Sequence, residues 1–436
     1  MSTTTIAWVL LAIAQIGLSV RRPVWALGFY MQTYFAAPQL WWWGDQLPEL
    51  RFAMWAGLIL LVTAVAHGAR PPATSERSVV STAAIAMVVN ATFVHFLLAP
   101  QPDVSVSNYV ELSKYVLLFF LMKAAIRTRD DFRAALVTIA VGAAYIGWEI
   151  TINGRGNFSG SRLEGVGAPG AETANGLAQL MLISLPLVGS LILNRTWLAK
   201  LVATGASPLV LNVLLVCNSR GAFLGLIGAA TSFLLVSKGP ARKRAFVTLA
   251  LGGASLFLLL GDPKILDRFA TTFVGSEERD NSAASRLDFW RAGMMLLADH
   301  PLGAGGNAFK IVYGSRYLGE ATNTQDPDSR SLHNGYLTEA TDWGVQGLVL
   351  KLLFIGGALL AAYRTTERAR LEGRVEDSLV GISVFVAGAG GMIHCIFGSF
   401  LANEYMYWLA AILVRYAEIY RADPGAQATV EEQRAA

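Results

Sequence analysis

Long apolar blocks, separated by short polar and often basic stretches, run through the whole chain. A membrane-spanning helix takes about 20 apolar residues. Blocks of that order fall at 6–20, 24–42, 51–67, 78–99, 109–126, 134–150 and 173–193, then at 197–217, 222–237, 245–261, 336–363, 378–400 and 405–420. The pattern predicts an all-α, polytopic integral membrane protein with about 12–13 transmembrane helices, the first two blocks being short and joined only by Arg21, Arg22 and Pro23. The first block lacks a basic residue ahead of it and a cleavage pattern behind it, so it is expected to be retained.

Basic residues fall in alternate loops. One side carries Arg21 and Arg22, the group Lys123, Arg127, Arg129 and Arg133, the group Lys238, Arg242, Lys243 and Arg244, and the group Arg364, Arg368, Arg370 and Arg374. The short loops of the other side hold only Arg51, Arg155, Arg162 and Arg220. The positive-inside bias makes the first side cytoplasmic, and the C-terminus with it. The predicted organisation is transmembrane helices 1–10 in residues 1–261, an external insertion in 262–335, C-terminal transmembrane helices in 336–420 and a cytoplasmic tail in 421–436. The longest cytoplasmic loop, 364–377, is too short to fold as a nucleotide-binding domain.

Inside the insertion, Leu287, Trp290, Met294 and Leu297 follow helical spacing between Ser285, a suitable N-cap, and Pro301, a stop. An amphipathic helix with Trp290 and Met294 on one face is expected to lie on the outer membrane surface or over the mouth of the bundle. Residues 303–306 read as a turn, since no strand precedes them and the dinucleotide fingerprint spacing is absent.

Composition agrees with the pattern. Hydrophobic residues make 54% of the chain and charged residues 15%, against about 25% charged in soluble proteins. The formal charge of +4 is spread over loops, which explains it by topology and gives no nucleic-acid surface. Cys217 and Cys395 lie in or beside apolar blocks and form neither a disulfide framework nor a redox or metal motif.

Three external features carry candidate chemistry. Arg220 follows Asn218 and Ser219 at the start of a predicted helix, where free amide groups and a guanidinium together suit a phosphate; a snorkelling end-residue is the plainer alternative. Arg286, expected in the first turn of the amphipathic helix, offers a second anion contact, or a solvated residue paired with Asp288 or Asp280. His333, where the insertion meets the next span, is suited to proton exchange near neutral pH. Glu339 and Asp342 follow it and are placed to orient it or to replace it as base. Asp326-Pro-Asp328 spells an acidic pair but reads as a solvated turn, Glu111 and Lys114 as a mutually neutralising helix pair, and Trp41, Trp42 and Trp43 as an interfacial belt. His67, His95, His300 and His394 show no ligand spacing.

Taken in order, these segments resemble the O-antigen ligase and polymerase superfamily. The likeness rests on Ser219-Arg220-Gly221-Ala222, on Arg286-x-x-x-Trp290 followed by His300-Pro-Leu-Gly-x-Gly305, on His333-Asn334-Gly335, and upstream on Arg162-Leu-x-Gly165 with Asn175-Gly-Leu-Ala178. The resemblance implies a GT-C-like bundle in the bacterial cytoplasmic (inner) membrane. It implies an inverting, metal-independent glycosyltransferase that moves a glycan from undecaprenyl diphosphate to an acceptor hydroxyl at the periplasmic face, without cofactor. Arg220 and Arg286 then correspond to the catalytic arginines and His333 to the general base, with Arg162, Asn175 and Asn334 beside them on the diphosphate or glycan. The stretch from Pro169 to Thr173 ahead of Asn175 is looser than in many relatives. The acceptor would be lipid A-core in a ligase, a growing glycan in a polymerase and a protein side chain in an oligosaccharyltransferase, with ligation preferred. A transporter or flippase is the alternative of another class, disfavoured by the one-sided insertion and the lack of paired repeats. Membrane lipids and the lipid-linked donor are the expected partners, and nucleic acid is not.

Overall fold

The computed structural model describes residues 1–68, 79–159, 162–193, 196–239, 242–243, 281–322 and 331–421. The chain is all-α and polytopic. Its helices are α1 (Thr3–Ser19), α2 (Val24–Phe35), α3 (Phe52–Ala66), α4 (Val79–Phe93), α5 (Pro102–Ala125), α6 (Arg129–Thr151), α7 (Ala174–Ser190), α8 (Trp197–Val216) and α9 (Arg220–Val236). They continue with α10 (Asn281–Asp299), α11 (Gly314–Thr322), α12 (Gly335–Leu371), α13 (Val375–His394) and α14 (Glu404–Tyr420). A hairpin of β1 (Asn157–Ser159) and β2 (Arg162–Glu164) joins α6 to α7, with Ser159 opposite Arg162. Among the described residues six helices are long and apolar enough to cross a membrane, and α1, α3, α7 and α9 are shorter apolar helices. Large apolar side chains such as Leu10, Ile13, Val62, Val89 and Leu235 point outward, as lipid contact requires and water would penalise.

α14 sits at the centre. It is buried from Tyr405 through Ala417, which fits a helix whose apolar residues go all the way round. α12, α13, α5 and α6 pack against it, and α7 and α9 pack against α13.

Several expectations change. The block 24–42 is helical only to Phe35, because the chain turns through Pro38 in a short 3-10 stretch. Trp41 and Trp43 are buried beneath it and only Trp42 is exposed, held by Glu149 and Arg155, so the three do not form a belt. The predicted cytoplasmic loop 364–377 is mostly the last turns of α12, leaving three residues between α12 and α13. Glu111 and Lys114 make no ion pair with each other. The block 245–261, most of the tail, and Asp326 and Asp328 lie outside the described residues.

The basic loops gather at one end of the bundle. Arg22 pairs with Asp131 at 2.5 Å, Lys123 with Glu418 at 2.9 Å, Arg129 with Asp377 at 2.9 Å and Lys238 with Glu367 at 2.8 Å. Each pair ties segments far apart in sequence, so loops assigned to one side by charge do share that side in space.

Candidate active site

Following the helices from that basic end places the starts of α7, α9 and α12 at the other end. Each start is fixed by a side chain that accepts from free amides: Thr173 Oγ1 from Gly176 N at 3.2 Å, Ser219 Oγ from Ala222 N at 3.3 Å, and Asn334 Oδ1 from Tyr336 N at 3.0 Å and Leu337 N at 3.1 Å. The caps hold Asn175, Arg220 and His333 within a residue or two of a helix N-terminus, where backbone dipoles favour an anion.

The hairpin supplies the next residue. Arg162 on β2 donates from Nη2 to Asn175 Oδ1 at 2.6 Å. Asn175 thus has Arg162 as its partner, and the looser stretch ahead of it is held by Tyr34 Oη on the Pro169 carbonyl at 2.7 Å and Asn403 Nδ2 on that of Gly170 at 2.8 Å.

α10 brings Arg286. The helix begins at Asn281, so Ser285 is internal rather than a cap and Arg286 stands in the second turn, beyond the strongest part of the helix dipole. Its anion affinity has another source. Burial, then the charges of Arg162 and Arg220, loosen the hold of the Arg286 guanidinium on its proton. Three arginines from three elements thus share one positive field. No ion pair joins Arg286 to Asp288; Asp280 lies outside the described residues.

One turn along α10, Phe289 packs with its ring 6.1 Å from that of His333. His333 adopts a left-handed φ of 50°, uncommon for a residue with a side chain, and its Nδ1 is 3.4 Å from Ser331 Oγ. Asn334 spends its side-chain oxygen on the α12 cap. Glu339 and Asp342 have other partners: Glu339 lies 3.5 Å from Lys351 Nζ, and Asp342 accepts from Asn108.

The buried face of α10 differs from the expected one. Phe289, Ala292 and Leu296 are buried in a small cluster with Leu332 and Leu337, while Leu287 and Met294 are each 58% exposed. Of the predicted stripe, Leu287 and Met294 face outward, while Trp290 and Leu297 pack against the cluster that ties α10 to the start of α12.

Sequence reasoning passed over His394, at the end of α13. It is 1% exposed, stacks on Phe400, and its Nδ1 has no hydrogen-bond partner among the described residues. Its ring lies against Gly221, next to Arg220: a Cβ on Gly221 would stand 3.3 Å from His394 Nε2 and 2.8 Å from Phe397 Cβ. A lone histidine in an apolar block gives no pattern that betrays such a position. The contact makes a prediction. Gly221→Val is expected to push the start of α9 aside and lower activity about 10²-fold through misplacement of Arg220, whereas Gly205→Ala, with open space around it, leaves activity unchanged. Parallel turnover assays on both variants check this.

A cavity of about 380 Å³ opens beside these residues. Ser331 and Leu332, just before His333, Pro169 and Gly170, before Asn175, and Thr338, one turn after Asn334, form part of its wall.

The sequence model of a family described as O-antigen ligase matches residues 205–352. The matched segment contains Arg220, Arg286, His333 and Asn334 and ends short of Arg162 and Asn175 on the N-terminal side. No curated protein matches the chain.

Proposed function

We propose that this chain, whose residues 205–352 match the O-antigen ligase family model, is a membrane enzyme of glycosyltransferase type that transfers a glycan from a lipid diphosphate carrier, undecaprenyl diphosphate, to an acceptor hydroxyl. The face is periplasmic, the membrane the bacterial inner membrane, and ligation to lipid A-core or a similar acceptor is favoured over polymerisation. What supports the reading is that the charges of Arg162 and Arg220 act on the guanidinium of Arg286, and that Phe289, one turn along from Arg286, packs against His333.

The chemistry follows from that arrangement. As the acceptor oxygen bonds to the anomeric carbon, the bond from that carbon to the diphosphate breaks and its electron pair leaves with the phosphate. Arg220 and Arg286, with the amides of the α9 start, hold that growing charge in a site partly shielded from water, where fixed donors act most strongly. Arg162, braced by Asn175, adds a third cation. His333 takes the hydroxyl proton, and attack from the face opposite the leaving group inverts the anomeric centre. Residues 1–261, 336–420 and the insertion between them then divide the work: spans hold the lipid, and α10 with the 331–335 segment closes over the reacting atoms.

Because arginines supply the positive charge, EDTA is expected to leave turnover of the purified protein unchanged; a strict need for a divalent ion would return attention to Asp326 and Asp328. The decisive test combines purified protein, lipid-linked glycan and candidate acceptors. Covalent transfer supports the reading, and passage of the lipid-linked glycan across liposomes without transfer supports a flippase instead. In deletion cells, full-length glycan left on the carrier marks a ligase and single repeat units mark a polymerase.

A further inference from the structure

We propose that the cavity beside the arginine field is the acceptor subsite, and that it takes a neutral or amine-bearing pyranose in preference to a phosphorylated one. The proposal rests on the reading above and adds to it a place and a chemical class for the second substrate.

The cavity has the size of a small-molecule site, which runs from about 300 to 1,000 Å³. Its lining differs in kind from the arginine field. Asn108 and Glu111 of α5 face Asn403 and Glu404 at the start of α14, with Tyr115 and Tyr407 below them. Amides, carboxyl groups and phenols offer both donors and acceptors, as the hydroxyls of a sugar require. Trp343 adds an aromatic wall of the sort on which the C–H face of a pyranose packs.

Among the described residues no arginine lines the cavity, and Lys310 is its one cationic residue, set among the carboxyl groups of Glu111, Glu339, Asp342 and Glu404, with Glu111 exposed. A phosphate placed here would lack a bidentate partner and would meet a single lysine against several carboxyl groups. A hydroxyl would meet neither obstacle, and an ammonium would find more carboxyl groups than cations.

The polar groups are held in place without a ligand's help. Asn307 Nδ2 donates to Asn108 Oδ1 at 2.8 Å, Tyr30 Oη donates to Glu404 Oε1 at 3.0 Å, and Lys351, wholly buried, joins Glu339 to Tyr407. Such a frame is a preorganised one, which lowers the ordering cost of binding. The wall at Ser331 and Leu332 is followed directly in the chain by His333, so a sugar seated here lies next to the proposed base.

The test reads binding and transfer separately. Saturation-transfer NMR on the full-length protein in detergent uses three probes: methyl glucoside, methyl glucosaminide and glucose 6-phosphate. The first two are expected to bind at least tenfold more tightly than the third. Glu111→Lys is expected to weaken methyl glucosaminide at least tenfold and to strengthen glucose 6-phosphate; Glu111→Gln, a milder change at an exposed position, should give the same order with smaller shifts. Unchanged binding in both variants, or a wild-type preference for glucose 6-phosphate, overturns the proposal. Sugar binding with this preference but no glycan transfer to any acceptor would sink the transferase reading and leave the sugar site standing; transfer in a protein whose acceptor affinity ignores Glu111 would do the reverse.

Discussion

Replacing His333 by Ala is expected to lower transfer by about 10²–10⁴-fold, the contribution of a positioned base, while the lipid-linked donor still binds. The two readouts separate because the groups are separate. The diphosphate is assigned to Arg220, Arg286 and Arg162, and His333 meets them through Phe289 and the 331–335 segment. The variant should also keep its fold, since the α12 cap is made by the Asn334 side chain. His333→Ala does not relieve the left-handed backbone position, as alanine favours that region less than histidine does. A pull-down with radiolabelled donor, beside a single-turnover assay, measures both quantities. Turnover equal to wild type removes His333 as the base.

The second large effect is expected at Arg220. Changing it to Lys keeps the charge but replaces a planar fork with a point charge, so two parallel bonds to a phosphate become one. A loss of about 10²–10³-fold in kcat is expected, the range found when one donor to a developing negative charge is removed. Arg286→Lys should behave alike. Combining the two is expected to lose less than the product of the single losses, because the residues act on one leaving group and their effects are coupled. Full activity in Arg220→Lys would return Arg220 to the role of a helix-end anchor.

Much of this was legible before any coordinates. The apolar blocks gave the class and nearly all the helix positions because lipid requires each spanning segment to satisfy its own backbone, and that demand is written in consecutive residues. Charge placed the loops of one side together, and the ion pairs from Arg22, Lys123, Arg129 and Lys238 join them there. The residues near helix starts, Arg220 and His333, were visible because caps and helix ends have short local signatures. Asn175 was reached only through the resemblance, since its hydrogen bond to Arg162 depends on a hairpin of three-residue strands too short to show a period. The face of α10 was only half legible for a related reason: Trp290 and Leu297 do pack inward, but the buried centre is Phe289, Ala292 and Leu296, a second, weaker stripe selected by Leu332 and Leu337, more than thirty residues on. His394 and the cavity have no local signature at all. They arise where the ends of α5, α13 and α14 come together.

The length of α12 would set the height at which the proposed chemistry takes place. Its 37 residues rise about 55 Å, well beyond the roughly 30 Å of bilayer oil. Gly344, with φ 81°, interrupts the rod near its outer end; a side chain there would collide with the Leu302 carbonyl that docks against the break. The break cuts the helix into a spanning shaft and a short finial that carries His333 at its tip. On the proposed reading, a finial of that kind would work as a gauge, lifting the reacting carbon to headgroup level while the carrier's hydrocarbon tail stays below among the acyl chains, so that the reaction would never have to leave the shoreline between oil and water.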